Sequence, residues 1–312
     1  MPSPEGAEGK ERNVAAVIVA FNRPHFLQLC IHGILEQNFV VDHIYIIDNS
    51  SNEESKEIVN EKFKSNKKVE YVRSSPDEGA SGGYARGIKM AYDDGYEWVW
   101  LFDDDLIPRP DALRKMLDYG HISSCIMPAR EAMNGELLSE TRPFLDFASG
   151  KMIFLNGDNN EDFYFTNTGV FGGMLVKGSL AQKAGLPDRR FFMYFDDAWF
   201  GFQLSLYTNP IYLKHTFVKD QDRKSSDDRK GVRNSLVGWR MYYITRNRFL
   251  LKNLLKEKGF LRGVDSFIYI TGAVIKNLSK SVITFDQRTS YWIIRGLIDG
   301  LREKYGKTVK PI

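Results

Sequence analysis

Residues 98–105 read WVWLFDDD, five apolar residues that break off on three consecutive carboxylates. So short an apolar run predicts a strand buried on both faces, Trp98 to Phe102. Three adjacent acids at its end repel one another unless a cation or solvent offsets them. Alternate side chains of an extended segment point the same way, so Asp103 and Asp105 are placed to share one ion. A hard divalent cation takes such oxygen ligands and often bridges substrate phosphates. The competing reading is an exposed acidic turn that caps a helix around Pro110 to Leu117. An EF-hand loop is excluded, because its Gly and its closing Glu are absent.

Upstream, Val14–Ala20 (VAAVIVA), His43–Ile47 and Val69–Val72 are three more strand-like runs. Helical patterns separate them, through Phe26, Leu27, Cys30 and Ile34, and from the capping stretch Asp48-Asn49-Ser50-Ser51 to about Phe63. A Gly-rich loop, Glu78 to Gly83, leads into a helix with Ala85, Ile88 and Ala91. Strands alternating with helices predict an α/β fold with a parallel, doubly wound sheet. Ligands of such sheets sit beyond the carboxyl ends of the strands. Polar clusters stand there in this chain: Asn22-Arg23, Asp48-Asn49 and Asp103 to Asp105. That convergence predicts a nucleotide site. The glycines before the third helix, with Arg86, suit an anion, although a plain tight turn explains them equally. They form neither a P-loop nor a correctly spaced dinucleotide fingerprint.

Farther on, Ala129–Asp162 lacks a clear period, as substrate-binding loops commonly do. Val170–Val176 reads as a strand and Gly178–Ala184 as a short helix. Asp196-Asp197 follow an aromatic run and open the helix Ala198–Leu206. They are either an N-cap pair or carboxylates with raised proton affinity, one of them poised as a general base. His215 ends a late strand, Ile211–His215. A lone His is usually a satisfied residue; it is also a candidate to complete a metal site. From Leu236 the pattern is helical, with breaks near Gly259 and Asp286.

The 312 residues carry a net charge of +3. The charge is uneven: Arg240–Ile312 holds 15 Lys and Arg against 5 Asp and Glu, and the rest of the chain is net acidic. An acidic first three-quarters argues against a nucleic-acid partner. The basic remainder suits either a solvated face or an anionic membrane surface. After Tyr291, Ile294, Leu297, Ile298, Leu301 and Tyr305 follow helical spacing with Arg295 and Arg302 between them, which fits a packed helix or an interfacial one. Phe267–Ile275 is too short to span a bilayer, and Met1–Asn13 lacks the apolar core of a signal peptide. Cys30 and Cys125 fit no disulfide or metal spacing and read as buried apolar residues. A cytoplasmic protein, peripheral to the membrane at most, is expected.

The runs VIVAFNRP, IIDNSS, EGASGGYARGI, WLFDDDLIPRPDAL, FGGMLV, FFMYFDDAWFGFQL and YLKH occur in one order between Val14 and His215. Together they resemble family 2 glycosyltransferases with the GT-A fold, most closely bacterial galactofuranosyltransferases, then rhamnosyltransferases. The resemblance implies transfer of a sugar, with inversion, from a nucleotide sugar to a hydroxyl of a glycan or lipid-linked acceptor in surface polysaccharide synthesis. UDP-galactofuranose is the favoured donor and dTDP-rhamnose the alternative. It implies that Phe21, Asn22, Arg23, Asp48, Asn49, Gly82, Gly83, Arg86, Asp103 and Asp104 hold the donor, with Asp48 reading the nucleobase and Arg86 near the diphosphate. It implies Mn2+ or Mg2+ on Asp103, Asp105 and His215, with Asp197 as the base and Asp196 positioning the acceptor. The domains expected are a flexible arm (1–13), a catalytic domain (14–235, divided at 128 into nucleotide and acceptor halves) and a helical region (236–312). Two rival classes stay open, a sugar-nucleotide nucleotidyltransferase and a non-catalytic binding module. The first would need basic residues in a Gly-rich loop after strand one, where Phe21-Asn22-Arg23-Pro24 stand.

Overall fold

Seven consecutive residues, Val14–Ala20 (β1), are buried without exception, because apolar side chains on both faces meet a helical layer on each side. The computed structural model describes residues 13–138, 143–147, 149–154, 161–225, 238–261 and 265–309. The arm 1–12, parts of the loop region after Ala129, and Leu236-Val237 lie outside them. After β1 come α1 (Pro24–Leu35), β2 (His43–Asp48), α2 (Glu54–Phe63), β3 (Val69–Arg73), α3 (Gly79–Asp93) and β4 (Trp98–Asp103). Then follow β5 (Leu106–Pro108), α4 (Ala112–Asp118), β6 (Cys125–Ala132), the hairpin β7 (Pro143–Asp146) and β8 (Lys151–Phe154), β9 (Phe163–Phe165), β10 (Leu175–Lys177) and α5 (Gly178–Ala184). The chain continues through α6 (Asp196–Ser205) and β11 (Ile211–Asp220) to three helices, α7 (Trp239–Glu257), α8 (Asp265–Ile283) and α9 (Gln287–Leu301).

The main sheet runs β3-β2-β1-β4-β10-β6-β11-β5, with β9 also on β11. The first four strands are parallel, and β10 is antiparallel between β4 and β6. Side chains of β1 alternate: Val14, Ala16 and Ile18 pack toward α1 and α4, while Ala15, Val17 and Val19 pack toward α3 and α5. Register brings Ala20 opposite Asp48 and Val19 opposite Asp103. The three polar clusters therefore stand side by side at one sheet edge.

Three expectations change, and the first is that the strand read at Val170–Val176 covers only Leu175–Lys177. The glycines after Glu78 lie inside α3 rather than in a loop, because this helix packs so closely on the sheet that side chains have no room. A Cβ at Gly87 would stand 2.2 Å from Val17 Cγ1. Gly87→Ala is therefore expected to lower stability by about 1–3 kcal/mol, read as an earlier urea midpoint with unchanged slope. The late strand also runs five residues past His215, to Asp220, with irregular register beside β6. Both cysteines are buried, as read from the sequence. Among the described residues no helix is long and apolar enough to cross a membrane.

Candidate active site

The carboxyl ends of β1, β2 and β4 open on a cavity of about 400 Å³. Phe21, Arg23, Asn49 and Asp103 reach its wall from the sheet, and Gly79 and Ala80 from the start of α3. Three contributions were not foreseen: Phe192-Met193, Asp222 just past β11, and Trp239-Arg240 opening α7. No local pattern announces them, since each lies far along the chain from the strands it faces.

The three acids of β4 divide their work. Asp103 accepts a hydrogen bond from Tyr84 Oη at 2.8 Å and faces the cavity. Asp104 is fully buried, accepts from the Phe21 amide at 2.9 Å and pairs with Arg23 at 2.5 Å. Asp105 is also ion-paired with Arg23. Burial nonetheless pushes Asp104 up to about 7, against the pull of Arg23. One guanidinium thus tethers the loop after β1 to the acids after β4.

Asp48 is buried and fully engaged. Tyr71 and Arg73 donate to one oxygen at 2.5 and 2.9 Å, and the Ser50 amide to the other at 2.9 Å. It is not among the residues of the cavity wall. Its neighbour Asn49 does reach the cavity. Asn49 Nδ2 donates to the Gly79 carbonyl at 2.7 Å, whereas its Oδ1 is buried without a partner. Asn22, at φ 54°, bonds Ser50 and Ser51 and shapes the turn. Gly82 and Gly83 are buried in α3, where a Cβ at Gly83 would stand 2.8 Å from Val19; they serve packing. Arg86 bonds the Arg73 carbonyl at 3.3 Å and lies 3.6 Å from Glu78, off the cavity wall.

His215 is not with Asp103 and Asp105. It is exposed, 3.5 Å from Asp162, and lines a separate cavity with Asp118 and His121. The extension of β11 is the reason: Asp220, not His215, pairs with Leu106 beside the acids, and five strand residues span roughly 16 Å. Asp222 arrives at the cavity instead.

Asp196 and Asp197 begin α6. Ser81 Oγ donates to Asp196 at 2.9 Å, and Asp197 accepts from the Ala198 amide at 2.7 Å. Burial raises the proton affinity of both. The charge of Asp196 raises Asp197 further, and that of Asp103 raises both. Arg130 beneath them offsets part of the shift at Asp197. The segment that presents them is strained: Phe192, Tyr194 and Phe195 have φ of 66°, 64° and 67°, at about 1–3 kcal/mol each. Asn247, within α7, holds it by donating to the carbonyls of Phe191, Met193 and Tyr194 at 3.0, 2.7 and 2.9 Å.

Residues 15–172 match glycosyl transferase family 2. Galactofuranosyltransferase GlfT1 of Mycolicibacterium smegmatis is 25% identical over 202 residues, 59% of this chain and 62% of the relative. GlfT1 of Mycobacterium tuberculosis H37Rv is 33% identical over 95 residues, 30% of each chain. The chain thus spans less than two thirds of the length of these relatives. Among solved structures, GalNAc-T7 with UDP, GalNAc and Mn2+ superposes with a TM-score of 0.57 at 15% identity, over 76% of this chain and 51% of that one. S. aureus TarS superposes with a TM-score of 0.51 at 13% identity, over 67% of this chain and 36% of that one. These likenesses show a GT-A fold.

Proposed function

Because the chain belongs to glycosyltransferase family 2, we propose that it transfers a hexose, with UDP-galactofuranose the first candidate, from its nucleotide to a hydroxyl of a glycan or lipid-linked acceptor, with inversion. The observation that carries this reading is that one helix, α3, holds both sets of acids: Tyr84 bonds Asp103 on the cavity wall, and Ser81, three residues earlier, bonds Asp196. The named galactofuranosyltransferase relatives support the sugar.

Each group has a task in such a transfer. Asn49 Oδ1, buried and unpartnered at the wall, is an acceptor that a nucleobase N–H would satisfy. Arg240 supplies positive charge for a diphosphate. Asp197 removes the proton of the attacking hydroxyl as the bond to the sugar forms. Asp196, fixed by Ser81, orients the acceptor.

Among the described residues no three His, Cys, Asp or Glu side chains stand together as a ready cation site. Asp103 and Asp222 nevertheless share the cavity wall, and two hard oxygen donors fit Mn2+ or Mg2+ whose remaining ligands are phosphate oxygens and water. A bound cation there would neutralise the departing diphosphate. Of the three expected ligands this set keeps Asp103 alone; Asp105 is ion-paired with Arg23, and His215 lies elsewhere.

The test is a screen of UDP-, dTDP- and GDP-sugars by thermal shift and by nucleoside diphosphate release, with and without Mn2+. Metal-dependent stabilisation by UDP-sugars, lost in Asp103→Asn and weakened in Asp222→Asn, is expected. Binding of no sugar nucleotide under any metal condition would overturn the reading. The pH profile adds a second check. A base acts only when ionised, and burial raises the proton affinity of Asp197. Turnover should therefore climb as pH rises, with its acidic limb centred well above the usual carboxylate range near 4. A limb centred near 4 would remove Asp197 from that role.

The net-basic C-terminal region supports one more proposal, that the enzyme works at an anionic membrane surface.

A further inference from the structure

A second cavity, about 460 Å³, lies among the three C-terminal helices. Three cations reach its wall: Arg248 from α7, and Lys276 and Lys280 from α8. The one carboxylate on the wall, Asp286, caps α9 by accepting from the Thr289 amide at 2.9 Å. Arg248 is unusually placed. Its guanidinium lies 5.8 Å from the Phe195 ring, and its hydrogen-bonding contact is the Tyr269 phenol. Nε and Nη1 are shut off from solvent and meet no acceptor. Among the described residues no carboxylate pairs with it. A cation held this way, without a counter-charge, is costly unless an anion completes the site.

The same helices also expose apolar side chains. Ile268, Ile275 and Val282 are seven residues apart, so they lie along one face of α8, and each is more than half exposed. At the turn into α9, Ile283 is 75% and Phe285 90% exposed. That row is turned away from the α8 face that carries Lys280 and continues to Thr284, whereas Ile283 and Phe285 adjoin Thr284 and Asp286 of the cavity wall; an exposed apolar tip bordering a basic cavity matches the two layers of a membrane interface.

We propose that this cavity takes the phosphate headgroup of an anionic phospholipid while the tip at Ile283 and Phe285 enters the acyl boundary. The inference rests on the membrane-surface proposal above and gives it a site. Phe195 immediately precedes Asp196, so a headgroup on Arg248 would be held next to the segment that carries the catalytic acids. The enzyme would then present its acceptor side to the bilayer.

The test is flotation of the full chain with vesicles of phosphatidylcholine alone and of phosphatidylcholine mixed with phosphatidylglycerol. Binding to the anionic vesicles should be roughly ten-fold or more tighter, at about five-fold per basic side chain. Ile283→Ser with Phe285→Ser should reduce binding to both vesicles. Lys276→Gln with Lys280→Gln, both at the surface, should remove most of the anionic preference, and Arg248→Gln the remainder. Equal partition into both vesicles, or a preference untouched in the lysine variant, would refute the headgroup site. Inorganic phosphate that raises the melting temperature through Arg248, with no vesicle binding, would also overturn it in favour of a soluble phosphate. Thermal shift with UDP-sugars, run alongside, separates a failure here from a failure of the glycosyltransferase reading.

Discussion

Asp197→Asn should reduce sugar transfer by roughly 10²- to 10⁴-fold while leaving folding and donor binding close to wild type. The amide keeps the volume of the carboxylate and an oxygen to accept from the Ala198 amide, so this contact in the first turn of α6 survives. What disappears is proton acceptance. Asn cannot take the proton of the attacking hydroxyl, and the neighbouring Asp196 is turned toward Ser81. The loss should fall on kcat, since the proton moves only as the bond forms, and the thermal shift with a UDP-sugar should persist. If Asp197→Asn turned over at the wild-type rate with normal stability, another group would be the base, and the carboxylate would serve only the backbone contact at the start of α6. Asp196→Asn is the internal comparison. It should cost less in kcat and more in acceptor KM, because its assigned work is orientation.

Asn247→Ala is expected to lower stability by about 2–4 kcal/mol, given about 1–3 kcal/mol for each buried polar group left unpaired, and to depress kcat as well. Its amide donates to three carbonyls of the 191–194 segment, and that segment with the adjoining Phe195 holds three aromatic residues at positive φ. Such conformations persist only where their surroundings over-determine them. The adjacent Arg246 completes the clamp. It is fully buried and donates to the Phe191 carbonyl at 2.8 Å, to Gly306 at 2.5 Å and to Asn247 Oδ1 at 2.8 Å. Its charge is met by carbonyl dipoles and by the Tyr243 ring at 4.8 Å. Released, the segment would relax toward ordinary φ, and Asp196 and Asp197 would swing with it. The decisive readout is the split between parameters in the surviving folded enzyme: kcat should fall by more than donor affinity, because Phe192 and Met193 are only two residues of a donor cavity walled also by β1, β2, β4 and the starts of α3 and α7. A variant that loses stability alone, with kcat intact at low temperature, would reduce Asn247 to a structural residue.

The sheet was legible because its signals are local. An apolar run of five to seven residues ending on polar ones says strand, and alternation with helical patterns says parallel. The carboxyl ends of β1, β2 and β4 were located to within a residue, and register then brings Ala20, Asp48 and Asp103 together. The glycines of α3 misled, since Gly suits both a ligand's approach and a helix packed tightly on a strand. At Gly83 and Gly87 the second applies.

Sequence by itself determined the fold class, the edge of the sheet where chemistry gathers, and the acids at the ends of β4 and the start of α6. Each follows from residue type and period within a dozen positions. Tertiary structure alone decided which polar groups reach the cavity. His215 falls short because β11 continues past it, and Asp222 arrives in its place. Asp48 is withdrawn by Tyr71 and Arg73, which leaves Asn49 at the wall. Trp239, Arg240 and the Arg246–Asn247 clamp come from a helix that begins more than 40 residues after Asp196. Whether a side chain meets a site depends on strand length, bulges and packing between distant segments, and a one-residue change in register alters all of these.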